Sequence, residues 1–72
     1  MKDVANFLLK NGFLEMGKDS YANHLCNVVF QEGGGYAVAD NEGNTMYSND
    51  NNIYWLIGTL TYYDYMDRHY VK

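Results

Sequence analysis

The sequence predicts an α+β protein: a two-layer sandwich in which a helix, an antiparallel meander of three to five strands and a second helix follow one another. Apolar residues recur at helical spacing near both ends of the chain, and a run of alternating residues occupies its middle. Turns rich in Gly and Asn separate the predicted strands that lie between the two helices. Both helices are expected to cover the same face of the sheet. With 72 residues, the chain makes one small domain, residues 1–72.

The first helix is predicted over residues 3–11, because Val4, Phe7 and Leu8 recur at the i, i+3 and i+4 positions of one helical face. The pair Asn11-Gly12 ends this helix, since glycine adopts the left-handed backbone conformation that closes many helices. The apolar residues of this helix are therefore expected to lie against the sheet.

The clearest strand is predicted at residues 26–31, where apolar and polar side chains alternate. The glycines at 33–35 connect it to a strand at 36–39, and a second turn at 41–44 leads to a strand at 45–47. An additional edge hairpin is expected from residues 13–16 and 20–22. The face of the sheet away from the helices is expected to present Val29, Gln31, Ala37 and Ala39.

The second helix is expected to begin after residues 48–52, which are dense in side chains that cap helix N-termini. It is expected to end near Tyr63 or Asp64 and to leave residues 65–72 as a tail. Its predicted core stripe consists of Ile53, Leu56, Ile57 and Leu60.

A second cluster on this helix, Trp55, Gly58, Thr59 and Tyr62, is predicted to lie roughly opposite the core stripe. The first helix, or the tail through Tyr65, Met66 and Tyr70, could cover this cluster from within the chain, or a partner protein could cover it from outside. Tyrosine and tryptophan are enriched at protein interfaces, and a small glycine permits close approach. The predicted contact surface consists of Trp55, Gly58, Tyr62, Tyr65 and Met66.

The chain is acidic, with a net charge of −4 and a pI near 4.7. Its five Lys and Arg residues lie near the two ends, whereas residues 19–67 contain seven Asp and Glu residues and no Lys or Arg. This distribution argues against nucleic-acid binding, which depends on clustered basic side chains. The acidic stretch is explained either by solvated turns or by attraction of a basic partner.

No motif indicates catalysis or a cofactor. His24 and Cys26 are two residues apart on a strand and are therefore expected on the same face, and His69 could join them, but a zinc site needs four ligands or three plus water. No oxyanion element accompanies a Cys/His pair, and the acidic turns do not have EF-hand spacing. The glycines at 33–35 lack the Lys-Ser/Thr of a phosphate-binding loop. The protein is therefore expected to be non-enzymatic and to hold no metal or cofactor.

The protein is expected to be cytoplasmic, without contact with a membrane. The first fourteen residues lack the apolar segment of a secretory signal. The longest apolar run, residues 53–60, is far shorter than the ~20 residues that cross a bilayer. A single cysteine, Cys26, agrees with a reducing compartment, because small secreted domains usually contain paired cysteines.

Three segments carry a resemblance to known sequences: residues 8–13 (LLKNGF), 46–48 (MYS) and 53–58 (IYWLIG). With them the chain resembles short Asn- and Tyr-rich proteins of gut bacteria of the Bacteroides group and their phages, a group with no assigned function. The resemblance implies a bacterial or phage cytoplasmic setting. It transfers no functional residue to this chain.

Two functional hypotheses follow. The first is a non-enzymatic protein-interaction module, a homo-oligomer that self-associates through its C-terminal helix. Its basis is the doubly apolar helix and the small core of a short chain, which self-association would supplement. The alternative is a small acidic inhibitor or nucleic-acid mimic, of phage or mobile-element origin, that acts on a basic protein.

Overall fold

The computed structural model describes residues 2–66 and contains a five-stranded antiparallel sheet, preceded in the chain by one helix and followed by another. The strands follow one another across the sheet in chain order, each paired with its neighbour in sequence. The predicted α+β fold, helix, meander and helix, is confirmed. The elements are α1 (Lys2–Lys10), β1 (Leu14–Gly17), β2 (Ser20–Ala22), β3 (Cys26–Phe30), β4 (Tyr36–Asp40), β5 (Thr45–Ser48) and α2 (Ile53–Tyr62).

Helix α1 ends at a left-handed glycine, as its sequence predicts. Gly12 has φ 88°, and the amide of Phe13 donates a 3.0 Å hydrogen bond to the carbonyl of Leu8. This bond spans the turn in the manner of a Schellman motif, which returns the chain toward the helix it has left. Phe13 is consequently buried beside the apolar face of α1.

Helix α2 has defined signals at both ends. Asn52 caps its N-terminus, where the side-chain Oδ1 accepts a 2.9 Å hydrogen bond from the amide of Tyr54. At the other end Asp64 takes a left-handed conformation, with φ 59°. The amide of Tyr65 then donates to the carbonyl of Leu60 at 2.9 Å. Both helices thus end in the same type of turn, with glycine in one and aspartate in the other.

The β3–β4 connection depends on glycine. Gly33, Gly34 and Gly35 all have positive φ. At Gly35 a Cβ atom would lie 2.0 Å from the carbonyl oxygen of Ser48, so only glycine fits between β4 and the chain leaving β5.

The core lies between the helices and one face of the sheet. Alternate residues of the strands point to this face, as the pairing of Val28 with Val38 illustrates. Leu8 of α1 and Leu56 of α2 belong to the same buried cluster, so both helices cover this face. The cluster comprises Val4, Leu8, Phe13, Tyr21, Cys26, Val28, Tyr36, Val38, Leu56, Leu60, Tyr65 and Met66.

The opposite face of the sheet carries no charged side chain across its paired strands. The register aligns two rows of side chains across all five strands. Val29, Ala37 and Ala39 lie on this face as predicted, whereas Gln31 follows the end of β3. One row is Leu14, Ala22, Asn27, Ala39 and Thr45; the other is Gly17, Ser20, Val29, Ala37 and Tyr47.

Candidate functional site

Helix α2 presents an uncharged row to solvent, formed by Tyr54, Gly58 and Tyr62 and called the outer row below. These residues recur every four positions and therefore lie above one another on the helix. Tyr54 is 79% exposed and Tyr62 is 80% exposed, and Gly58 between them is also exposed. Helix α2 contains no charged residue along its whole length. The predicted contact residues Gly58 and Tyr62 thus lie at the surface, and Tyr54, which the sequence reasoning omitted, extends them.

Trp55 lies on the flank of the core and is not part of the exposed outer row. Its side chain is half-buried and packs against the core cluster. The indole stacks on the ring of Tyr36, with centroids 6.4 Å apart and planes 9° from parallel. Thr59, one turn along the helix, is also half-buried. The cluster predicted opposite the core stripe is therefore divided, because the indole reaches Tyr36 on the sheet whereas Gly58 and Tyr62 are exposed.

Tyr65 and Met66 lie inside the protein's own core, with 8% and 4% of their surfaces exposed. The side-chain amide of Asn23 donates a 2.7 Å hydrogen bond to the carbonyl of Tyr65. The hydroxyl of Tyr65 donates a 2.5 Å hydrogen bond to Oδ2 of Asp40. In this fold the two side chains bury a surface of the chain itself and are not available to a partner. The third residue expected to cover the helix, Tyr70, lies outside the described residues.

Asp40 is held as a carboxylate by several donors. Its pKa is lowered, first by the hydrogen bond from Tyr65 and then by that from the side chain of Asn44. The backbone amides of Glu42 and Asn44 donate to its Oδ1, each at 2.9 Å. The same contact raises the pKa of Tyr65 to about 12. Neither group titrates near neutral pH, so the pair positions chain segments and does not exchange protons there.

A cleft of about 300 Å³ opens beside this pair. The rings of Tyr63 and Tyr65 stack in its wall, with centroids 5.5 Å apart. Three carboxylates contribute to the lining, so the cleft suits a cationic group more than an anionic one. Its lining residues are Leu25, Asp40, Asn41, Glu42, Tyr63, Asp64 and Tyr65.

His24 and Cys26 do not share a face, contrary to the sequence expectation. His24 precedes β3 and is exposed, whereas Cys26 begins the strand and is buried. Burial, with a smaller contribution from the charge of Asp40, raises the pKa of the Cys26 thiol to about 12. A thiol in this state is a poor nucleophile and a poor metal ligand. His69, the third candidate ligand, lies outside the described residues.

Within residues 2–66, no three His, Cys, Asp or Glu side chains are grouped closely enough to hold a metal ion. None of the helices in this part of the chain is long and apolar enough to span a bilayer. No family model, characterised protein or solved structure matches the chain.

Proposed function

We propose that this protein is a non-enzymatic interaction module that self-associates through the outer row of α2. The observation that carries the proposal is the composition of the helix. A helix with one solvated side normally carries charged residues on that side, and α2 has none. Its solvated side instead presents two tyrosines, a glycine and a threonine.

Gly58 supports a contact at this position. A glycine inside a helix costs about 1 kcal/mol relative to alanine. A Cβ atom placed on Gly58 would meet no described atom within 4 Å, so internal packing gives no reason for the glycine. Close approach of a second helix would give one, because the missing side chain lets two backbones come nearer to each other.

The outer row is self-complementary. In an antiparallel pair of α2 helices that cross at Gly58, Tyr54 of one copy lies beside Tyr62 of the other, and the two-fold axis repeats this contact. Aromatic rings then cover the glycine from both sides. Because α2 contains no charged residue, the centre of the helix pair brings no like charges together. Two copies of an acidic chain can therefore associate there without charge repulsion at the contact.

The experiment compares wild type with Gly58→Ala by sedimentation velocity and by urea unfolding. We expect the substitution to stabilise the monomer by about 1 kcal/mol. We expect it to weaken dimerisation at least about tenfold, because the added methyl separates the helices. Tyr62→Ala should weaken the dimer as well, and Leu14→Ala, at an exposed apolar position of β1, is the matched control on another element. A Gly58→Ala protein that associates as strongly as wild type would refute the proposal.

The acidic cleft supports a second candidate, an inhibitor of a basic protein. Glu42 and Asp64 stand beside the stacked rings of Tyr63 and Tyr65, an arrangement that suits a lysine or arginine side chain of a partner. Binding of this kind weakens as salt rises. A captured basic partner whose affinity is the same at low and high ionic strength, or is unaffected by Glu42→Gln, would exclude this candidate.

A further inference from the structure

The sheet is open along β5. This strand pairs with β4 on one side, and no other strand in residues 2–66 lies on its second side. Thr45 and Tyr47 are exposed at this edge, Tyr47 with 65% of its surface. An edge strand presents backbone donors and acceptors to which another strand can bind.

The register shows which backbone groups are open. Where the β4–β5 pairing begins, the amide of Asp40 donates to the carbonyl of Asn44 at 2.9 Å. Hydrogen-bonded and non-bonded pairs alternate from there along an antiparallel ladder. The pairs that contain Thr45 and Tyr47 are therefore non-bonded. Their N–H and C=O groups point away from β4, toward the open side.

The edge at β5 lacks the devices that usually protect an edge strand. At the opposite edge, β1 has an irregularity between Glu15 and Gly17 and carries the charge of Glu15. Strand β5, with the sequence Thr-Met-Tyr-Ser, pairs in regular register and contains neither a charged residue nor proline. Charges, proline and bulges are the features that prevent pairing between edges.

We propose that β5 is a second interface, at which it pairs antiparallel with β5 of another copy around a two-fold axis beside Met46. In this register Thr45 of each copy exchanges both backbone hydrogen bonds with Tyr47 of the other. The open groups on each copy are thereby satisfied. The two sheets become one continuous sheet, and the helices of both copies lie on the same side of it.

The symmetry of the open groups favours a second copy over an unrelated peptide. They lie one residue before and one residue after Met46, so the same two positions serve both partners. Met46 is half-buried at the margin of the core and meets its own equivalent across the axis. Because β5 is only four residues long, the contact is weaker than a standard interface, and its affinity is in the micromolar range or weaker.

The same register predicts an unusual dependence on salt. Continued beyond the strand, it places Glu42 of one copy opposite Asp50 of the other at both ends of the contact. Both residues are exposed, so their repulsion is screened by salt. Self-association at β5 therefore strengthens as ionic strength rises. The double substitution Glu42→Gln/Asp50→Asn should strengthen it at low salt, and the asparagine keeps a side-chain oxygen that can accept the hydrogen bond from the hydroxyl of Ser48.

The β5 contact is independent of the proposed contact at α2, because the two surfaces lie on different elements. A chain with two distinct two-fold interfaces assembles beyond a dimer. Sedimentation velocity separates the two contacts. It compares wild type with three variants: Gly58→Ala, Tyr47→Pro and the double variant Glu42→Gln/Asp50→Asn. Proline at position 47 removes an outward N–H and no bond to β4. Tyr47→Thr is its matched control, since it removes the ring and keeps the N–H.

We expect Tyr47→Pro to reduce the β5 contact at least tenfold relative to Tyr47→Thr. In the Gly58→Ala protein, amide exchange followed by NMR should show protection of Thr45 and Tyr47 that rises with protein concentration. The amide of Met46, already bonded to β4, should not change. Equal association of the Pro and Thr variants, or exchange at Thr45 and Tyr47 independent of concentration, would overturn the inference. Protection that appears only on addition of an extended Thr-Val hexapeptide would also overturn it and assign the edge to a different partner.

Discussion

The hydroxyl of Tyr65 lies 2.5 Å from Oδ2 of Asp40 and joins the segment after α2 to the end of β4. A second bond, from the side chain of Asn23 to the carbonyl of Tyr65, attaches the same segment to the chain leaving β2. Together they hold Tyr65 and Met66 in the core. The C-terminal part of the described chain is thus fixed by polar contacts as well as by apolar burial.

Acid should weaken this attachment. The pKa of Asp40 is lowered in the folded protein, chiefly by the bond from Tyr65. A lowered pKa contributes stability above the unfolded value, about pH 4, and this stability is lost as pH falls through the lower folded value. We expect Asp40→Asn to be less stable than wild type at pH 7, and the difference to shrink below about pH 4. Urea unfolding of both proteins from pH 7 to pH 2 measures this, and parallel curves would contradict it.

Alkali should weaken the same contact by ionising the hydroxyl of Tyr65. The pKa of Tyr65 is raised to about 12, first by its bond to Asp40. Its contribution is complete below the unfolded value of about 10 and is lost as pH rises toward 12. Tyr65→Phe should therefore be less stable than wild type at pH 8 and converge with it between pH 10 and pH 12. Tyr62→Phe, which removes an exposed hydroxyl, is the control.

Gly35 should be the least replaceable glycine of the β3–β4 connection. Gly35→Ala combines a left-handed backbone with a Cβ atom 2.0 Å from the carbonyl oxygen of Ser48. We expect a loss of at least about 3 kcal/mol in the free energy of unfolding. Gly33→Ala is the matched control, because its φ is also positive but its Cβ would meet no described atom within 4 Å. The control should lose about 1 to 2 kcal/mol, and equal losses in the two variants would show that the close approach has no effect.

Much of the fold could be predicted because its signals are local. Gly12 ends α1 and Asn52 caps α2. Both signals involve residues only a few positions apart, so the residue types alone indicate them in the sequence. The alternation in Cys26–Phe30 likewise reflects one face of one strand. Each of these expectations depends on the geometry of a single element.

The environment of Trp55 and Tyr65 could not be predicted in the same way. Helical spacing places Trp55 roughly opposite the core stripe, and only the position of Tyr36 on β4 decides that the indole stacks inward. Tyr65 is buried because the left-handed conformation of Asp64 turns the chain back toward the sheet. Asn23 and Asp40 then form hydrogen bonds with Tyr65. These partners are distant in sequence. The outer row and the edge at β5 depend on what the rest of the chain leaves uncovered.

Cys26 should be unreactive in the folded protein. Burial is the main reason that the pKa of its thiol is raised to about 12, so almost no thiolate is present at pH 8. We expect 5,5′-dithiobis(2-nitrobenzoic acid) to label the native protein only as fast as it opens, and to label the protein at once in guanidinium chloride. Prompt labelling of one thiol per chain under native conditions would show that the strand end is accessible.

The order of the strands has a consequence for how quickly this chain finds its structure. Each hairpin forms between neighbours in sequence and closes only a short loop, so little chain entropy opposes any single step. Chains dominated by such local contacts reach the native state faster than those built from distant pairings. The bond between Asn23 and Tyr65 is different, since it joins residues 42 positions apart. The C-terminal segment should therefore dock last, onto a sheet that has already formed.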